Sequence, residues 1–557
     1  MAASEEKNKS NCETVRALLI SGIGISLDEG DGVALDEAKR VLSRLGIRDS
    51  AELSVYKRSV DARVRGGVHS VRRVLAVRAR FHEPIRLSER QRALLPKLSA
   101  RAITEDEEPT VVYGDTPIGD RPLVVGMGPA GLFAALMLAE NGYRPILIDR
   151  GDDVRTRVRI NDSFMETGVL DTESNVQFGA GGAGTFSDGK LITRINDPSI
   201  SYVLRRFVDC GAPEEILSDA RPHIGTDLLV GVVERLIERI AEKGGTVLYR
   251  TRLTGIRRER DEERLVAETS AGEISCGALV LALGHSARDT QRMLMRLGLP
   301  TVPKAFSVGV RVEHLQKEID KALYGDYAGH PALGHAEYNL SDTTGDRGVY
   351  TFCMCPGGTV MAAASEEGGV VVNGMSRHAR DGENAVAAVA VSVMPEDCGG
   401  GAEDGFLFQR MLEERAFKMG GGAYAAPIQT LGDFMDGALS ESPTSVTPTY
   451  SRGVTRLSRV DTLFPDRITD TLRAGFRSFG RKVRGYDARE AILTGVETRT
   501  SSPVRIMRTE ELTAVGFPLI YPIGEGAGYA GGITSAAVDG IRAALAIMKR
   551  FRVSEDL

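Results

Sequence analysis

The sequence predicts an α/β protein: a parallel sheet flanked by helices, interrupted by a long, mainly β (α+β) insertion and preceded by a small α+β unit. Three observations predict it. A strand–glycine turn–helix–strand unit, PLVVGMGPAGLFAALMLAENGYRPILID, begins at Pro122. A second glycine-rich strand–loop–helix, YPIGEGAGYAGGITSAAVDGIRAA, begins at Tyr521, near the end of the chain. Between the two lie strand-like pieces whose period is 2 rather than 3.6.

The elements follow in order. TVRALLIS (14–21) reads as a strand, and ALDEAKRVLSRLG (34–46) as an amphipathic helix closed by Gly46. Strand-like runs at 52–60 and 71–81 complete an N-terminal α+β domain over 1–100, and an acidic, then Gly/Pro-rich stretch makes 101–120 a linker. The first part of the nucleotide-binding domain spans 121–300, with a helix over 225–245 and strands at 245–256 and 277–284. Residues 301–490 form the inserted substrate or cap domain, with helices at 406–419 and 466–480. Residues 491–557 return to the first domain.

A chain of 557 residues exceeds one hydrophobic core, in keeping with several domains. The net charge of -6 points to no particular partner, but residues 51–100 hold 12 Lys+Arg against 4 Asp+Glu. That block reads as a solvated face or as a docking patch for an acidic partner; no named nucleic-acid motif accompanies it. Six cysteines without paired spacing form no disulfide framework and suit a reducing compartment. The N-terminus lacks an apolar signal core and no run could span a bilayer, so the expectation is a cytoplasmic protein without membrane contact. No metal site is expected.

Gly126-Met127-Gly128-Pro129-Ala130-Gly131 follows a strand and opens a helix, and Asp149 ends the next strand, followed by Arg150. Gly126 permits the sharp turn, Gly128 lets a pyrophosphate approach the backbone, and Gly131 lets helix and strand pack closely. The helix N-terminus favours the anion, and Asp149 can accept from a ribose hydroxyl. The late return selects FAD over NAD: an elongated dinucleotide needs a second loop near its ring. In that loop Gly524, Glu525, Gly526, Gly532 and Ile533 are the expected contacts, with Glu525 bonding ribityl or ribose hydroxyls. The final helix, beginning near 533–535, would point its free N–H groups at the ring. A third run, VQFGAGGAGTFSDGKL (176–191), supplies Gly182, Gly184 and Ser187 as a wall, and Gly284 marks the strand-end turn of ALGH.

These three glycine segments, in this order, resemble flavoproteins with a glutathione-reductase-like, Rossmann-like FAD-binding domain. GGAGTFSDGKL, FCMCPGG, VVNGMS, GVETRTSSPVRI and GEGAGYAGGITSAA are further similar to a widespread family of uncharacterised FAD-dependent dehydrogenases, whose members also carry a YKRSVDAR-like N-terminal segment. The resemblance implies FAD, an inserted substrate domain and oxidoreductase chemistry, but no substrate.

Four residues are candidates for the reaction: Cys353, Cys355, Glu497 and Arg499. On a regular strand the two cysteines would share a face ~6.5 Å apart, poorly placed for a disulfide. That leaves packing residues or one thiol acting at the flavin or substrate. Glu497 and Arg499 lie in GVETRTSSPVRI, which reads either as a site for an anionic substrate group or as a salt-bridge cluster between domains. The leading function is an FAD-dependent oxidoreductase acting on a small molecule, with NAD(P)H as a transient reductant only. A flavin monooxygenase and a flavin-containing protein that docks RNA or a protein partner through its basic N-terminal region are the alternatives.

Overall fold

The computed structural model describes residues 14–48, 50–66, 68–104, 108–258, 264–442 and 444–554. Cys12 and part of the expected linker, residues 105–107, lie outside them. The chain divides into two compact units: 1–108 with 214–222 and 324–334, and 109–213 with 223–323 and 335–557.

In the first unit Thr14–Ile25, Ala51–Arg65, Val68–Arg86 and Ala100–Ile103 form one antiparallel sheet, in the order 51–65, 68–86, 14–25, 100–103. The core on one face of that sheet takes Leu18, Ile20, Val77 and Ala79 from the strands and Ala34, Ala38 and Val41 from the helix Gly32–Arg44. Part of the basic block is neutralised within the unit. Arg58 and Arg73 share Asp31, while Arg63 and Arg72 share Asp61.

In the second unit a five-stranded parallel sheet runs Ile520–Pro522, Ala278–Leu281, Pro122–Val125, Ile146–Ile148, Thr246–Leu248. Its central strands are buried on both faces, which is why they read as continuous apolar runs. The helix Pro129–Glu140 is apolar all round, with ten of its residues buried. The final helix Ile533–Arg550 crosses it closely: a β-carbon on Gly540 would lie 2.1 Å from the Ala130 carbonyl oxygen.

The stretch 245–256 was expected to be one strand and is two. Thr246–Leu248 ends the parallel sheet, and Leu253–Arg258 enters a separate three-stranded antiparallel sheet. The chain breaks at Arg250, which adopts φ +50 and pairs with Asp171 at 2.7 Å. Residues 306–497 build a seven-stranded mixed sheet: Ser341–Asp342, Val349–Cys355, Asn384–Val393, Phe306–Leu315, Ile492–Glu497, Ala426–Thr430, Thr455–Leu457. Strand Ile492–Glu497, read from sequence as part of the C-terminal return, pairs inside this sheet with Phe306–Leu315 and Ala426–Thr430.

Candidate functional site

The fingerprint turn is formed by main chain in tight contact. Gly126 has φ +105, and a β-carbon on it would fall 2.3 Å from the Ala282 carbonyl oxygen; one on Gly131 would fall 1.8 Å from the Gly126 oxygen. Gly128 differs: only Gly182 Cα, 3.9 Å away, approaches its missing side chain. Room for a ligand therefore lies over Gly128, where Pro129 begins the helix at a position that needs no N–H partner. Asp149 is buried and serves the turn itself: its two oxygens accept from Met127 N at 2.8 Å and Gly151 N at 2.9 Å. The expected ribose role has to use its remaining lone pairs. Arg150 is held by Glu173 and Asp289 and lies 4.3 Å over the Phe178 ring.

The second glycine loop packs onto the first. Gly182, at φ +64, sits so close to Gly128 that a β-carbon on it would be 2.9 Å from Gly128 Cα. Gly184 faces Ile533 of the final helix at 3.2 Å by the same measure. Ser187 Oγ donates to Gly184 O at 2.6 Å and accepts from Gly189 N at 3.1 Å, so it braces the loop.

The C-terminal return closes the ring of contacts. A β-carbon on Gly524 would meet Ala130 Cβ at 2.9 Å, and one on Gly526 would meet the Gly284 oxygen at 2.3 Å. Gly284, at φ +68, is exposed, as are Gly531 and Gly532, so main chain faces open space there. The final helix begins at Ile533 as expected, and Thr534 Oγ1 donates to Leu191 O at 2.7 Å. Asp539 fixes the loop by accepting from Gly524 N at 2.8 Å and pairing with Arg508. Burial pushes the Glu525 carboxyl up to about 7, with the cation Lys304 opposing. Segments 126–131, 180–187, 282–284 and 524–533 thus form one cradle.

The candidate catalytic residues are distributed differently from the expectation. Cys353 and Cys355 do not share a face. A β-bulge falls between Phe352 and Cys355, Cys353 takes φ +43, and its side chain is exposed while Cys355 is fully buried. One extra residue in the strand flips the alternation that the same-face reading assumed. Cys355 Sγ donates to Cys353 O at 3.1 Å, and burial pushes the Cys355 thiol up to about 12, so it is protonated at neutral pH. Glu497 is locked by Arg311 through bonds of 2.7 and 2.9 Å, and Arg311 also reaches Asn373 Oδ1 at 2.7 Å and Cys353 O at 3.2 Å.

Arg499 belongs to a buried network around Glu413. Arg288 donates two bonds to Glu413 at 2.7 and 2.9 Å, Arg499 two at 3.1 Å, and Thr498 one at 2.7 Å. Within GVETRTSSPVRI, Glu497 and Arg499 are both ion-paired, whereas Arg505 donates to Gly528 O. His285 lies beside it; burial, then Arg499 and Arg288, push the imidazole down to about 3, so it is neutral, with Nδ1 2.7 Å from Ser286 Oγ. A second cluster joins Asp188 and Lys190 of the glycine-loop segment to Arg380, Glu337 and Ser376.

Sequence reasoning missed Arg157, Arg288, Arg311 and Glu413. Arg157 left a signal: it occupies the buried stripe Val154, Arg157, Asn161, Phe164 of its helix, where an apolar residue belongs. Arg311 likewise interrupts the valines of FSVGVRVE. Among the described residues no His/Cys/Asp/Glu group could hold a metal, and no helix is long and apolar enough to cross a membrane.

A protein of Clostridium beijerinckii (strain ATCC 51743 / NCIMB 8052), described as uncharacterised, is 44% identical over 543 residues, 96% of this chain and 99% of its own. Residues 305–500 match the family described as FAD-dependent protein, C-terminal domain-like. Among solved structures, that of CtdE in complex with FAD is 11% identical over 77% of this chain and 84% of its own, at a TM-score of 0.31. The flavin-dependent halogenase CmlS is 13% identical over 77% and 58%, at 0.35. Likenesses this distant establish no shared fold. The cofactor is FAD. The cradle fits it: bare main chain at Gly128, Gly284, Gly531 and Gly532 leaves space where side chains would stand.

Proposed function

We propose that this chain, which belongs to the same family as the Clostridium beijerinckii protein and matches over residues 305–500 the family described as FAD-dependent protein, C-terminal domain-like, is an oxidoreductase acting on a small molecule. The observation that carries the proposal is the convergence of four glycine-lined segments, from residues 126 to 533, on one cradle. When bound, FAD supplies two-electron transfer at its ring.

The chain's own residues bind and orient. The N-terminus of helix Pro129–Glu140 and the space over Gly128 hold the pyrophosphate. Glu525 holds sugar or ribityl hydroxyls. The N-terminus of helix Ile533–Arg550 favours negative charge on the ring. The seven-stranded sheet excludes water and presents the exposed Cys353 thiol, able to donate a proton. Glu497 and Arg499, each locked in an ion pair, position the roof rather than meet the substrate. NAD(P)H is a transient reductant in this reading.

The test is anaerobic. The purified protein should carry a flavin absorption band, and a screen of NADH, NADPH and metabolite pools should bleach it. A protein that takes up no FAD on reconstitution ends the reading. One that binds FAD but is bleached by dithionite alone leaves it without an oxidoreductase role.

A further inference from the structure

Arg157 is fully buried behind the second glycine loop. Its guanidinium hydrogen-bonds only to carbonyl oxygens and lies 4.7 Å over the Phe186 ring. Nε donates to Asn175 at 2.7 Å, Nη2 to Val176 at 2.7 Å, and Nη1 to Ala180 at 2.7 Å, Gly182 at 2.8 Å and Gly179 at 3.4 Å. Among the described residues no carboxylate comes within ion-pair distance of it. Asp149 is the acid that acts on it at longer range, and both Asp149 oxygens already accept backbone N–H groups. Carbonyls satisfy the donors but do not neutralise the charge, and a buried charge without a counter-ion is costly. Burial accordingly pushes the guanidinium down to about 9, with Asp149 opposing.

The location gives that cost a purpose. Gly182, whose oxygen accepts a hydrogen bond from Nη1, packs directly against Gly128, over which the open space lies. The cation is therefore one residue thickness from the place where a dinucleotide's negative charge binds.

We propose that Arg157 is a positioning residue that supplies, from behind the glycine loop, the positive charge balancing the pyrophosphate of bound FAD. This deepens the FAD reading and rests on it. The side chain never touches the cofactor. It acts through the loop it holds and through its field, which low local dielectric preserves.

The experiment measures FAD dissociation constants by flavin fluorescence, and ADP competition, in the wild type and in Arg157→Gln and Arg157→Lys, with thermal unfolding of each FAD-free protein. Arg157→Gln should weaken FAD and ADP alike by roughly 10–100-fold, and Arg157→Lys should recover part of the loss although it forms fewer carbonyl bonds. FAD should raise the unfolding temperature of Arg157→Gln less than that of the wild type. Equal weakening by Lys and Gln would reduce Arg157 to a loop brace and overturn the proposal, as would unchanged affinity in Arg157→Gln. Should Arg157→Gln not fold, Arg157→Lys decides: with the charge kept it should bind FAD and ADP within about tenfold of the wild type, and a larger loss overturns the proposal. A wild type that binds no FAD sinks the cofactor reading first; binding without these effects sinks this proposal alone.

Discussion

Glu413→Gln tests whether the buried charge network holds the second unit together. Glu413 is fully buried, and the Arg288 and Arg499 side chains paired with it are 1% and 4% exposed. The substitution keeps the shape and removes the charge, leaving two buried guanidiniums with Glu366, itself a third exposed, as the remaining carboxylate. Breaking a buried pair from one side costs about 3–5 kcal/mol. Against a total stability of about 5–15 kcal/mol, that lowers the urea midpoint by about 1–2 M. The pH dependence has a definite sign. Burial pushes the Glu413 carboxyl up, but Arg288 and Arg499 overcome it and hold the group well below the usual carboxylate range. Its stabilisation is therefore complete above about pH 4.5 and is lost only as pH falls from there toward the depressed folded value. The gap between wild type and Glu413→Gln should be constant from pH 8 to 5 and narrow below. A midpoint shift under ~0.5 M, or a gap that changes between pH 8 and 5, would show that the network is not what stabilises this region.

Three further outcomes are expected. Glu525 has a raised folded value of about 7, so its contribution is full below about pH 4.5 and fades as pH rises through 7. The FAD-free protein should lose up to about 3 kcal/mol across that window, and Glu525→Gln should abolish the slope in urea titrations. Gly182→Ala forces φ +64 on an L-residue and sets a methyl group 2.9 Å from Gly128 Cα. It should cost about 1–3 kcal/mol and lower flavin occupancy in the absorption spectrum; full occupancy would remove the glycine loop from the site. In a Cys12→Ser background, Cys353 should react with a thiol reagent in the native protein and Cys355 only after unfolding, since one is exposed and the other buried. Equal rates would contradict the bulge.

Local chemistry was legible in the sequence, and long-range partnership was not. The fingerprint could be read because Gly126, Gly128 and Gly131 answer to the steric demands of a turn within six residues. The start of the final helix at Ile533 was legible for the same reason: a glycine pair ends a loop where apolar periodicity begins. The role of Arg499 was not, because its partner Glu413 is 86 residues away and Arg288 binds the same carboxylate from a third segment. A spacing rule cannot rank such partners. The cysteine faces were misjudged because a bulge leaves no residue signature in FCMCPGG, and strand periodicity simply continues through it.

Five arginines of the second unit are paired with carboxylates: Arg311 with Glu497, Arg288 and Arg499 with Glu413, Arg380 with Asp188 and Glu337, Arg508 with Asp539. An anionic substrate would have to displace a carboxylate from one of these bidentate pairs, leaving that carboxylate desolvated at a cost of several kcal/mol. Arg505, the exposed arginine of GVETRTSSPVRI, is turned to the C-terminal loop, donating to Gly528 O at 3.3 Å beside the Tyr529 ring. In the proposed reading the arginines of this stretch shape the roof, and the Cys353 thiol and the half-buried Asn373 amide meet the substrate. Such a roof selects by shape and hydrogen bonding rather than by charge. Turnover on the true substrate should then change little between low and high salt, and Asn373→Ala should raise KM more than it lowers kcat. A steep salt dependence of kcat/KM would mean that a free cation meets the substrate after all, and the pairing described here would have to open on binding.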